Sequence, residues 1–161
     1  EYFKVIESKT AKLFEAGART AAIISDADAT QEEHLANYAI YLGTAFQIVD
    51  DILDYNSSAE VMGKNVGDDL LEGKVTLPLI SLLAHGSQSI KDVIVSAVDD
   101  PKHADIAQVV DLVKNGAALE YCSQLARDYV AKAQAELEHF PVNSYREALS
   151  TIAQMSIERI S

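Results

Sequence analysis

At 161 residues the chain is long enough for one domain with a real core, and 48% apolar against 24% charged residues is ordinary for a soluble globular protein. A net charge of −12 argues against nucleic acid, whose phosphates require a basic footprint. No apolar run reaches the roughly 18–20 residues of a membrane span, no signal-peptide pattern is present, and the single cysteine, Cys122, excludes an internal disulfide and fits the reducing cytoplasm.

The chain starts at Glu1 in mid-pattern, with Tyr2, Val5 and Ile6 already marking a helix face. It is therefore expected to be a piece of something longer. Residues 1 to about 24 read as one helix with apolar positions Tyr2, Val5, Ile6, Leu13, Phe14, Ala18, Ala21 and Ala22. Lys9 and Thr10 interrupt that spacing, which by itself fits a solvated face. Thr30 followed by Glu33 is a capping box, opening a long helix through Tyr38, Leu42, Phe46, Val49 and Leu53.

This second helix carries the polar stretch Gly43-Thr44-Ala45-Phe46-Gln47-Ile48-Val49-Asp50-Asp51-Ile52-Leu53-Asp54. At roughly 100° per residue, Gly43, Gln47, Asp50 and Asp54 share one narrow arc with Asp51 at its edge, and apolar residues take the other directions. Clustered carboxylates in a helix surrounded by protein repel one another and cost desolvation energy. A cation offsets both. An oxygen-only ligand set suits Mg²⁺, which is commonly shared with substrate phosphates.

The helix fades near residues 55–58, and Gly63, Gly67 and Gly73 deny a stable helix to the next segment. Its lysines, Lys64 and Lys74, alternate with acids. Glycine-rich backbone with ammonium groups can cradle phosphate, although neither a P-loop nor a dinucleotide fingerprint is present and a surface loop fits as well. Thr76-Leu77-Pro78 restarts a short, nearly all-apolar helix that His85-Gly86 closes, with His85 a helix-terminal residue. Short amphipathic helices follow through Ile90–Ala97 and Ile106–Val113. A longer one runs from Leu119 to Phe140, and Ser144 with Glu147 forms a second capping box for the last. Cys122 reads as a core residue and His139 as a surface one. Without period-2 alternation the fold is all-α, a single helical domain of about seven or eight helices.

Three segments in one order resemble the trans-isoprenyl (polyprenyl) diphosphate synthases, in particular their octaprenyl-type members. Gly43–Asp54 resembles the second aspartate-rich motif of that family; Gly63–Pro78, with Lys64, Gly67, Asp69, Glu72, Gly73 and Lys74, resembles the segment after it; Lys9-Thr10 matches the Lys-Thr pair on the preceding helix. The resemblance covers the whole chain as the C-terminal half of such an enzyme. It implies an all-α bundle around a deep cavity, Mg²⁺ as cofactor, and isopentenyl diphosphate and an allylic diphosphate as substrates. It further implies that Asp50, Asp51 and Asp54 bind the metal and that Lys64, Lys74 and Lys9 meet the allylic diphosphate. Thr10, Phe46 and Gln47 would line the substrate site.

The first aspartate-rich motif of the family has no counterpart in residues 1–161, so the chain alone is expected to be inactive. A half-bundle would expose apolar wall along residues 1–24 and 31–55, so self-association or a homodimer is expected. Two other readings compete: a non-catalytic helical subunit pairing with a full-length synthase, and a plain interaction module with solvated aspartates.

Overall fold

The computed structural model describes residues 1–56 and 67–160, and every regular element among them is helical. Lys64 and its neighbours in the glycine segment lie outside the described residues. Helix α1 (Tyr2–Ile6) passes through one π-helical turn (Glu7–Ala11) into α2 (Lys12–Ile24). The sequence predicts a single apolar face here. The π-turn instead adds a residue and rotates α2 by roughly 100° relative to that face. Ile6, Ala11 and Ala22 are buried, whereas Val5 is 52% and Leu13 77% exposed.

Helix α3 (Ala29–Asn56) starts from a capping box earlier in the chain than Thr30/Glu33. The Gln31 N–H donates to Asp28 Oδ1 at 2.8 Å, and the Asp28 N–H to Gln31 Oε1 at 3.2 Å. A carboxylate suits the positive end of the helix dipole better than a hydroxyl does. A similar shift occurs at α9 (Ser144–Glu158), where the Asn143 carboxamide, not Ser144, accepts from the Tyr145 and Arg146 N–H groups at 3.0 and 2.9 Å.

The glycine segment does contain a helical turn, α4 (Asp68–Leu71). The glycines bracket it: Gly67 and Gly73 take left-handed backbone at φ +84° and +76°, the conformation only glycine enters freely. Asp68 and Asp69 suit its N-terminus, and Leu70 anchors it in the core. Helix α5 (Leu77–His85) starts after Thr76 with Pro78 in its first turn, where no N–H is needed. Then come α6 (Gln88–Asp99), α7 (Ile106–Asn115) and α8 (Ala118–Leu137).

The chain forms two compact units, Glu1–Val49 with Gln124–Ser161, and Asp50–Ser123. In the first, many buried positions are small (Ala11, Ala22, Ala36, Ala39, Ala45, Ala126, Ala133, Ala153), which lets helix backbones approach closely. The Tyr38 hydroxyl donates to the Leu149 carbonyl at 2.8 Å, tying α3 to α9. The core of the second unit gathers Tyr55, Leu70, Leu79, Leu82, Ile94, Val109 and Val113, with α5 contributing to it on several sides as its apolar sequence requires. None of the described helices is long and apolar enough to cross a membrane.

Candidate active site

The polar residues of the first unit are positioned by a glycine. A Cβ at Gly43 would stand 2.8 Å from Ala11 Cα and 3.2 Å from Phe14 Cγ, so α3 meets the π-turn backbone to backbone only because Gly43 has no side chain. Thr10 adjoins Ala11, and Gln47 lies one helical turn beyond Gly43. The Thr10 hydroxyl donates to Gln47 Oε1 at 2.8 Å. The Lys-Thr interruption seen in the sequence is thus a π-turn, and it brings together two of the predicted site residues, Thr10 and Gln47. Lys9 is exposed. Phe46 is 37% exposed and packs its ring 5.9 Å from that of Phe14, with the Arg159 guanidinium 5.5 Å above it. Arg159 has no motif around it, and nothing in the sequence singles it out.

In the second unit the three aspartates meet three environments. Asp50 is exposed, Asp54 half-buried and Asp51 only 2% exposed. Helical geometry alone puts Asp51 at the edge of the polar arc; packing puts it inside. The Asp54 carbonyl accepts from the Gly67 N–H at 3.1 Å, joining the end of α3 to the glycine turn. Next to it the Tyr55 phenol is buried near the Thr76 hydroxyl. Burial, then the Asp54 charge, pushes it above the ordinary tyrosine range.

Lys74 Nζ lies 2.6 Å from Glu72 Oε2 and 2.9 Å from Asp69 Oδ1, and these two carboxylates raise its pKa. The Lys74 N–H also donates to the Asp69 carbonyl at 2.8 Å, closing α4 into a compact turn. A cation and the three carboxylates of α3 therefore share this unit, with oxygen-only donors of the kind a hard divalent cation requires. Cys122 is fully buried, and desolvation, with a smaller contribution from the Asp51 charge, pushes its thiol up to about 12. It is a core residue, not a nucleophile. His85 sits exposed at the end of α5, its ring meeting Tyr121 edge-on at 6.1 Å.

A family model described as Polyprenyl synthetase matches residues 1–114, the part that holds the Lys-Thr pair, the aspartates and the Leu-Pro helix. The chain is 41% identical over 159 residues to the octaprenyl diphosphate synthase of Haemophilus influenzae, covering 98% of this chain and 48% of that protein. It is 39% identical over 159 residues to the all-trans-nonaprenyl-diphosphate synthase (geranyl-diphosphate specific) of Rhodobacter capsulatus, covering 99% of this chain and 49% of that one. Its fold matches a polyprenyl synthase from Caulobacter crescentus CB15, solved in complex with calcium and isoprenyl diphosphate. The TM-score is 0.92 at 36% identity, over 99% of this chain and 49% of that one. The chain spans about half the length of the curated relatives it matches. From its aspartate helix to its all-α fold, this chain belongs to the polyprenyl synthetase family.

Proposed function

We propose that the chain is the C-terminal portion of a cytoplasmic, Mg²⁺-dependent trans-prenyltransferase. It condenses isopentenyl diphosphate with an allylic diphosphate to make a medium- to long-chain polyprenyl diphosphate, of octaprenyl type, for quinone side chains. The observation that carries this reading is α3 itself: one helix bears Gln47, Asp50, Asp51 and Asp54 at helical spacing, inside the segment that matches the family.

Asp50, Asp51 and Asp54 are the residues that would hold Mg²⁺, and a bound Mg²⁺ would supply charge stabilisation for the departing diphosphate. Lys9, Lys64 and Lys74 are the lysines whose ammonium charge suits a diphosphate. Lys74 is itself exposed and exchanges the exposed Glu72 and the half-buried Asp69 for phosphate; the Glu72 pair costs little to give up because solvent-exposed ion pairs are weak. The allylic C–O bond breaks with its electron pair on the diphosphate. The alkene of isopentenyl diphosphate attacks the resulting cation, and the condensed cation then loses a proton to the released diphosphate, the base that the step itself supplies. Gln47 Oε1 is a carbonyl oxygen that accepts from the Thr10 hydroxyl, and both oxygens carry partial negative charge. Both stabilise the allylic cation without trapping it, while Phe46 offers a partly exposed apolar ring to the prenyl substrate.

Exposed Val5, Leu13, Ile23 and Ile24 on the first two helices support self-association or pairing with further bundle helices, and a homodimer for the complete enzyme. Residues 1–161 alone do not catalyse the condensation; product formed by this chain with Mg²⁺ and both substrates would overturn that. The reading as a whole is tested by calorimetric binding of a bisphosphonate. Binding should require Mg²⁺ and vanish in Asp50→Ala. Metal-independent binding, or binding that Asp50→Ala leaves intact, sinks it.

A further inference from the structure

We propose that His34, Glu136 and His139 form a transition-metal site of zinc type, separate from the aspartates of α3. His34 sits in α3, Glu136 in the last turn of α8, and His139 just past it, all within the first unit. One ligand atom from each lies within 4.8 Å of the others. His34 Nδ1 is 2.7 Å from Glu136 Oε2, and the His34 and His139 rings stack with centroids 3.7 Å apart and planes 11° from parallel.

The backbone fixes this arrangement. The Glu138 N–H donates to the Ala135 carbonyl at 3.1 Å and the Phe140 N–H to the Leu137 carbonyl at 3.0 Å, so the chain stays in tight turns on either side of His139 after α8 ends. The Arg146 guanidinium donates to the Phe140 carbonyl at 2.8 Å, and the Phe140 ring meets His34 edge-on at 6.5 Å. Two imidazoles and one carboxylate are a donor set for Zn²⁺ and its neighbours, whereas Mg²⁺ and Ca²⁺ require oxygen throughout. Bonds of about 2.0–2.1 Å place neighbouring ligands of a tetrahedral zinc roughly 3.4 Å apart. The stacked rings would have to splay for their in-plane lone pairs to converge on one ion, and the ligand atoms, already within 4.8 Å of one another, would close to that spacing. Three protein ligands leave a fourth position for water, and the metal would staple α3 to the end of α8.

The test is titration of the purified protein with Zn²⁺ by calorimetry and with Co²⁺ by visible absorption, both in excess Mg²⁺ so that the aspartates are occupied. One equivalent should bind, Co²⁺ should give the bands of a four-coordinate site, and Zn²⁺ should raise the Tm. His139 is exposed, so His139→Ala keeps the fold; it should weaken binding by more than roughly tenfold, the loss that even an outer-shell partner of a metal ligand brings. His103→Ala, which removes an exposed histidine paired with Asp100, should change nothing. Absence of one-equivalent binding, or binding that His139→Ala leaves unaltered, overturns the proposal.

Discussion

Gly43→Ala tests how the site is built. The added Cβ would lie 2.8 Å from Ala11 Cα and 3.2 Å from both Ala11 Cβ and Phe14 Cγ. Carbon atoms pack at about 3.5–4.0 Å, and the nearest obstacle is backbone that cannot rotate away, so α3 and the π-turn must part by roughly 0.7–1.2 Å. Overpacking of that size costs about 1–3 kcal/mol. The same shift stretches the 2.8 Å Thr10–Gln47 hydrogen bond out of range, at a cost of about 1 kcal/mol. Alanine recovers only about 1 kcal/mol through its better helix propensity. The net loss is about 1–3 kcal/mol, with about 2–4 °C of Tm for each kcal/mol in a chain of this size. Gly17→Ala is the control: it lies in α2 with nothing within 4 Å of an added Cβ, so only the propensity gain remains. Urea unfolding of both variants should show Gly43→Ala shifted down and Gly17→Ala unchanged or shifted up, at equal m-value. If Gly43→Ala is as stable as Gly17→Ala, the close-contact reasoning is wrong.

Burial pushes the Cys122 thiol from 9.0 and the Tyr38 phenol from 10.0 each up to about 12, so the fold favours both in their protonated forms. The stability they contribute is whole below about pH 9 and is lost as pH rises through about 9–12, at up to about 1.4 kcal/mol per unit for each group. Urea midpoints should therefore fall steadily above about pH 9, and a flat profile contradicts the burial argument. Tyr38→Phe removes the bond to the Leu149 carbonyl and should lower stability by about 1 kcal/mol by the same assay; an unshifted midpoint would mean that the α3–α9 tie contributes nothing net. If the proposed role of the Gln47 carboxamide at the allylic cation holds, Gln47→Ala in a complete synthase carrying this chain should lower turnover more than diphosphate affinity; an equal loss in both parameters removes that role.

Much of this molecule is legible because helical period and turn chemistry are local. The all-α class, the aspartate helix, the Pro78 start of α5 and the glycine stop after His85 all come from neighbouring residues. Features that depend on partners distant in the chain are not legible in this way. Even a local cap can be ambiguous: Asp28 and Thr30 are both capping types, and only the helix start at Ala29 decides between them. A count of glycines hides the turn Asp68–Leu71, because it does not reveal that Gly67 and Gly73 flank a helical turn rather than interrupt one. The stacking of His34 on His139 joins residues far apart in sequence, and no spacing rule connects them. The π-turn is an intermediate case. Lys9 and Thr10 break the apolar rhythm visibly, but the break fits a solvated face as well as an inserted residue until Gly43 is seen against Ala11.

The burial of Asp51 bears on one of the readings that the sequence leaves in competition, the interaction module with solvated aspartates. A bundle whose aspartates form a solvated face would keep all three carboxylates in water, where they cost nothing. Asp50 meets that expectation, but Asp51 is only 2% exposed and its charge is felt by the Cys122 thiol and the Tyr55 phenol of the same unit. Placing a carboxylate there costs several kcal/mol unless polar or cationic partners compensate it. Asp51 is therefore not a solvated-face residue: the carboxylates of α3 extend from the interior at Asp51 to the surface at Asp50, and a plain interaction module with all three in water does not describe them.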